Sequence, residues 1–216
     1  MNEQAGPLGA ERLRRFLTPA PARRSGEYCE FCAEELPEQH AHVVNVEARA
    51  LVCACRPCYL LFTNRGAAGG RFRAVPQRYR IARDVLVSNG QWDELQIPVG
   101  IAFFFYNSAQ ANTVAFYPSP AGATESLLPL GAWQEIVHAN PALGMIEPDV
   151  EALLARRLAN ATIECYVVPI DACYELVGRM RRSWKGFDGG AEGWADIEAF
   201  FGSVRERAEP YGRRES

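Results

Sequence analysis

Three stretches carry the strongest hydrophobic patterning. Ile97-Pro-Val-Gly-Ile-Ala-Phe-Phe-Phe-Tyr106 is apolar and aromatic with little alternation, as a strand buried on both faces would be. Polar residues from Ser108 to Asn112 predict a turn. Thr113-Val-Ala-Phe-Tyr-Pro118 then predicts a returning strand that its proline ends. Thr162-Ile-Glu-Cys-Tyr-Val-Val-Pro-Ile170 predicts a third strand.

Helical spacing fills much of the remainder. Leu13, Phe16 and Leu17 share one face of a short helix over 8–17. A helix over 132–139 is stopped by Asn140-Pro141. Pro148 opens a predicted helix over 149–158. Asp171 stands where an N-cap belongs, before a helix over 172–184. The stretch 191–207 is amphipathic and carries Trp194, Ile197, Phe200 and Phe201. Strands mixed with helices in this order predict an α+β fold, a small mixed sheet packed with helices.

The N-terminal part reads differently. Thr18-Pro-Ala-Pro-Ala-Arg-Arg-Ser-Gly26 is a linker. His42–Val46 and Ala50–Ala54 read as two strands around a turn at Glu47–Arg49, and Tyr59-Leu-Leu-Phe-Thr as the start of a helix. The chain then divides into a helix and linker (1–28), a Cys-rich module (29–64), a connecting segment with room for one short helix (65–96), an α/β domain (97–208) and a flexible tail (209–216).

Five of the seven cysteines crowd into the module. Cys29-Glu-Phe-Cys32 and Cys55-Arg-Pro-Cys58 are two Cys-x2-Cys turns, and each presents two thiolates on one side of a tight loop. Two such turns can close a tetrahedral shell around one ion. A knuckle, a hairpin and a second pair at a helix start follow the treble-clef or zinc-ribbon plan. The metal ligands expected are Cys29, Cys32, Cys55 and Cys58, with zinc the expected ion and iron the alternative, since thiolate shells suit both. Cys53, His40 and His42 are candidates to replace one ligand. Cys53 lies two residues before Cys55 and shares its face in an extended strand. A module this short has too small a core to fold alone, so the metal would supply folding free energy.

Composition narrows the function. The formal charge is −3, which gives no bulk pull toward nucleic acid. Lys185 is the only lysine among 23 basic residues, a bias toward arginine that discounts arginine-rich surface as a sign of phosphate binding. That discount covers Arg71, Arg73, Arg78, Arg80 and Arg83, which are interleaved with Phe72 and Tyr79 like a nucleic-acid groove. No stretch is apolar enough to span a bilayer, and the N-terminus lacks the apolar core of a secretory signal. The expected compartment is the cytoplasm, where clustered thiols bind metal more often than they pair.

No catalytic constellation is apparent, which favours a non-enzymatic reading. His40 and His42 beside a double knuckle suit an HNH-type nuclease, but no histidine follows on the next helix; the simpler reading is exposed loop residues or donors behind the ligands. Pro118–Ser126 is a small, hydroxyl-rich loop whose simpler reading is a tight turn on the sheet. Glu164, Asp171 and Glu175 read as caps or solvated carboxylates, and Cys165 and Cys173 as core thiols. Trp184-Lys-Gly-Phe-Asp-Gly-Gly190 is either a helix connection or a partner-docking loop.

Four segments carry a resemblance: Cys29-Glu-Phe-Cys32, Cys53-Ala-Cys-Arg-Pro-Cys-Tyr-Leu-Leu-Phe62, Ala115–Ser126 and Val168–Gly178. In these the chain resembles an uncharacterised bacterial family, best represented in actinobacteria and typically encoded beside high-affinity nickel–iron hydrogenases. The likeness runs from about residue 10 to 203. It implies a context of hydrogenase assembly, maturation or electron supply, with hydrogenase subunits or maturation factors as protein partners. It transfers no catalytic residues. The expectation is therefore a metal-stabilised accessory protein. An iron-binding redox carrier and a zinc-ribbon nucleic-acid regulator are the alternatives.

Overall fold

The computed structural model describes residues 27–83, 85–119, 121–126, 130–186 and 189–210. The helix predicted over 8–17 and the linker after it lie outside these residues, as do Phe187 and Asp188. Among the described residues, a mixed α+β architecture is built on a seven-stranded sheet.

The sheet's middle is β10 (Glu151–Arg157), flanked by β7 (Ile101–Asn107) and β11 (Ile163–Pro169), all antiparallel. β8 (Asn112–Ser119) and β9 (Gly122–Ser126) extend one side; β6 (Tyr79–Ile81) and β12 (Ala208–Pro210) close the other. The β6–β12 pair is parallel, which makes the sheet mixed. Glu209 and Pro210, at the start of the expected tail, thus belong to the edge strand β12, paired with β6.

Period-two alternation sends side chains into two cores. Ile101, Phe103, Ala152, Leu154, Tyr166 and Val168 face α4 (Ile170–Ser183) and α5 (Gly190–Arg207), which bring Cys173, Leu176, Ile197 and Phe201. Ala102, Phe104, Leu153, Ala155, Cys165 and Val167 face the other way. There they meet Trp92 of α2 (Asn89–Glu94), Trp133 and Ile136 of α3 (Leu130–Ala139), and Leu143. The result is a sheet between two helical layers.

The helix predicted over 149–158 is the central strand. Glu-Ala-Leu-Leu-Ala-Arg-Arg has strong intrinsic helix propensity. However, every position from Glu151 to Arg156 is buried, and a strand between two helical layers has no solvent face to leave polar. Asp149, at φ 67, turns the chain into it. The helix predicted from an Asp171 cap instead starts two residues earlier, at Ile170. Pro169 is its N-cap and makes no side-chain cap bond, so Asp171 lies in the first turn with its carboxylate used elsewhere. Pro118 does not end its strand, because β8 runs on to Ser119 and pairs with β9 in a hairpin.

Two small sheets precede the large one. β1 (Glu27–Tyr28) pairs with β2 (Glu35–Leu36), and β3 (Ala41–Asn45) pairs with β4 (Ala50–Ala54) and β5 (Phe72–Ala74). The segment 65–96 thus supplies a strand to each larger sheet and the helix α2. Ser88 and Gln91 close a reciprocal capping box at the start of α2. β3 joins the two parts: Val43 packs on Ala41, Ala54 and Tyr59, while Val44 enters the main core. No described helix is long and apolar enough to cross a membrane.

Candidate metal centre

The first cysteine pair sits at the tip of the β1–β2 hairpin. The Cys29 amide donates to Glu34 O at 2.8 Å and the Ala33 amide to Cys29 O at 2.7 Å; Ala33, at φ 61, completes the reversal. Backbone and side-chain bonds then pin this knuckle to β4. Glu30 N donates to Cys53 O at 3.0 Å, and Cys53 N donates to Glu30 Oε1 at 2.9 Å. The second pair opens α1 (Arg56–Leu61): Cys55 is its N-cap, Pro57 fits the first turn, and Cys58 follows within that turn.

The four sulfurs of Cys29, Cys32, Cys55 and Cys58 lie within 4.8 Å of one another, with Cys32 and Cys55 at 3.6 Å. Cys29 and Cys55 are buried and Cys32 is exposed. Burial opposes a charge on Cys29, but amide hydrogen bonds from Cys55, Phe31 and Cys32 outweigh it and bring its thiol down to about 6. The Cys58 amide favours a thiolate on Cys55, yet burial and the Cys32 and Cys29 side chains together push that thiol up. Burial, then the neighbouring thiols, push Cys58 up as well. A negative charge therefore forms readily on Cys29 while Cys55 and Cys58 resist theirs, an imbalance that a bound cation removes. A four-thiolate set of this size can form a metal site.

The segments that build this cluster fall within a recognised sequence family. DUF5947, a family of unknown function, matches residues 28–208. The chain belongs to DUF5947. The match spans both cysteine pairs and the seven-stranded sheet as far as the first residue of β12. No curated protein and no solved structure matches this DUF5947 chain.

His40, His42 and Cys53, the candidate replacements, form a second group whose ligand atoms also lie within 4.8 Å of one another. Register explains it. His42 and Cys53 are cross-strand partners in β3 and β4, and His40 precedes His42 by two residues. Cys53 packs beside Cys29 and Cys55 but groups with the two histidines and not with the four-cysteine set. The histidines are not exposed loop residues, since the His40 side chain is only 5% accessible. Burial, then Glu27 and Glu30, push the Cys53 thiol up. Asp171 accepts from His42 Nδ1 at 2.9 Å, a contact bridging 129 residues that local sequence cannot signal. Cys53 two residues before Cys55, and the His40-x-His42 spacing, were the signals available for this group.

Other candidates resolve into structural roles. Arg71 pairs with Glu47, Arg73 with Asp149, Arg78 with Glu147 and Glu151, and Arg80 with Glu151, so these arginines neutralise carboxylates. Glu164 binds Arg156 and Glu175 binds Arg179. Ser119 Oγ donates to Gly122 O and also meets Thr124 Oγ1, which occupies the hydroxyls of that turn. Gly189, at φ 87, lies under Trp184, where a Cβ would approach the ring to 2.8 Å. Cys165 and Cys173 are core thiols. Sequence reasoning missed Asn140, whose buried amide holds the Leu86 backbone by two hydrogen bonds.

Proposed function

We propose that this chain is a metal-stabilised accessory protein. Cys29, Cys32, Cys55 and Cys58 close around one zinc ion as a treble-clef-like module, and the module holds a recognition surface against the α+β body. The convergence of the four sulfurs within 4.8 Å carries this reading. A closed four-thiolate shell suits a structural ion, because it leaves no position for substrate. The resemblance in the sequence points to hydrogenase subunits or maturation factors as the protein partner. The cytoplasm is the matching compartment, where seven free thiols stay reduced.

An iron-binding redox carrier linked to hydrogenase is the second reading. It draws on exposed Cys32, which would bring an iron close to the surface and to an electron partner. The nucleic-acid regulator loses support, since four of the five arginines of that run, Arg71, Arg73, Arg78 and Arg80, pair with carboxylates.

Metal analysis with an absorption spectrum, on protein purified without oxygen, separates the two. Zinc without visible absorbance from the four-cysteine site supports the accessory role; iron with thiolate charge-transfer bands turns the reading to electron transfer. Cys29→Ser is expected to release that ion and unfold the module. A stable variant that keeps its ion would overturn the structural role.

A further inference from the structure

The geometry points to a second metal site, in which His40, His42 and Cys53 bind a divalent transition-metal ion of the zinc type at an open coordination position. The three ligand atoms lie within 4.8 Å of one another. A tetrahedral shell with these ligands needs separations of about 3.5 Å, a contraction of up to about 1.3 Å.

Proton positions support it. His40 Nδ1 faces the Pro37 carbonyl at 3.0 Å, and a carbonyl only accepts, so Nδ1 carries the hydrogen. In the neutral ring Nε2 then holds a lone pair. That atom is buried without a hydrogen-bond partner, on a side chain 5% accessible. His42 follows the same rule: its Nδ1 hydrogen goes to Asp171 Oδ2 at 2.9 Å, which leaves Nε2 for a metal. A carboxylate or carbonyl behind each imidazole is the arrangement that orients metal-binding histidines and raises their basicity. Two imidazoles and one thiolate suit zinc, cobalt, nickel or copper over magnesium or calcium. A nucleophilic relay through Cys53, His42 and Asp171 would leave His40 without a role.

Three protein ligands leave one position open, which a closed structural site does not. Both histidines line a cleft of about 890 Å³ shared with Asp171, Glu175, Arg179 and Arg207.

The test loads the full chain with zinc, removes loosely held ion, and then adds cobalt while recording metal stoichiometry and the visible spectrum. Wild type is expected to hold two ions per chain, with one cobalt showing thiolate charge transfer from a single sulfur. His40→Gln with His42→Gln is expected to hold one ion at an unchanged thermal midpoint, and Cys53→Ser to lose the charge-transfer band. Asp171→Asn is expected to weaken the second ion by about 10- to 100-fold. One ion in wild type, lost on Cys32→Ser but not on Cys53→Ser, overturns the proposal and leaves the four-cysteine site intact. One ion with the reverse sensitivity would overturn the four-cysteine reading instead. Should the double histidine variant fail to fold, wild-type stoichiometry and Cys53→Ser still decide.

Discussion

Cys29 and Cys165 show how far local surroundings move the same side chain. Amide donors around Cys29 bring its thiol down to about 6, while burial among apolar side chains pushes Cys165 up to about 12 and Cys173 well up too. The thiolate is the reactive form, so the two core thiols are inert in the folded protein. Iodoacetamide at pH 8 is expected to leave Cys165 and Cys173 unmodified until denaturant is added, as peptide mass spectrometry would read. Labelling of either in native protein would contradict the burial. The same shift sets an alkaline limit. A thiol whose folded value lies above its unfolded value of 9.0 contributes stability that is whole below pH 9 and is lost as pH rises toward about 12. Cys165→Ala would remove that part of the alkaline dependence, at the cost of a small cavity.

At the scale of elements, β10 is the most informative case. Its Ala-Leu-Leu-Ala run favours a helix locally, and only the two packed layers on either side make it a strand. Glu151 ties this strand to its neighbours. Its carboxylate is fully buried, accepts from Arg78 Nε and Arg80 at 2.8 Å each, and accepts the Glu147 amide at 3.0 Å. Glu151→Ala removes the carboxylate that Arg78, Arg80 and the Glu147 amide share, so a loss of about 1.5–3 kcal/mol is expected in urea unfolding. A loss under about 1 kcal/mol would mean that water reaches the pair and screens it. The same contrast marks what the sequence made legible. The strands at Ile101–Asn107 and Ile163–Pro169 were readable because aromatic and β-branched residues leave no polar face. The four cysteines were readable because Cys-x2-Cys spacing is a local property. β10 was not, because its state is decided by Trp133, Leu176 and Phe201 from distant helices. Nor was the His42–Asp171 contact, which exists only after β3 docks beside α4.

Across the whole molecule, the question is how far the cysteine module depends on the sheet. Its own apolar cluster is small: Ala41, Val43, Ala54 and Tyr59 are its buried members. Burial of so few side chains does not offset the ordering of the knuckle and hairpin, so the ion must contribute. Yet the module is also moored. Val44 enters the main core, Tyr59 Oη donates to Val75 O at 2.9 Å, and Arg73 donates to Pro148 O at 2.7 Å. These anchors lie on β3, α1 and β5, whereas the knuckle 29–32 is held within the module, by β4 and by Phe31 against Phe62 and Phe72. Chelation at neutral pH is therefore expected to act in a graded way. Amides of Cys29–Ala33 should lose protection from hydrogen exchange by orders of magnitude and those of β3 by much less, while β7, β10 and β11 keep theirs. Uniform loss across the sheet would mean that module and body unfold as one unit. No change at the knuckle would mean that its hydrogen bonds to Glu34 and Cys53 hold it without an ion, and the structural role of the metal would fall.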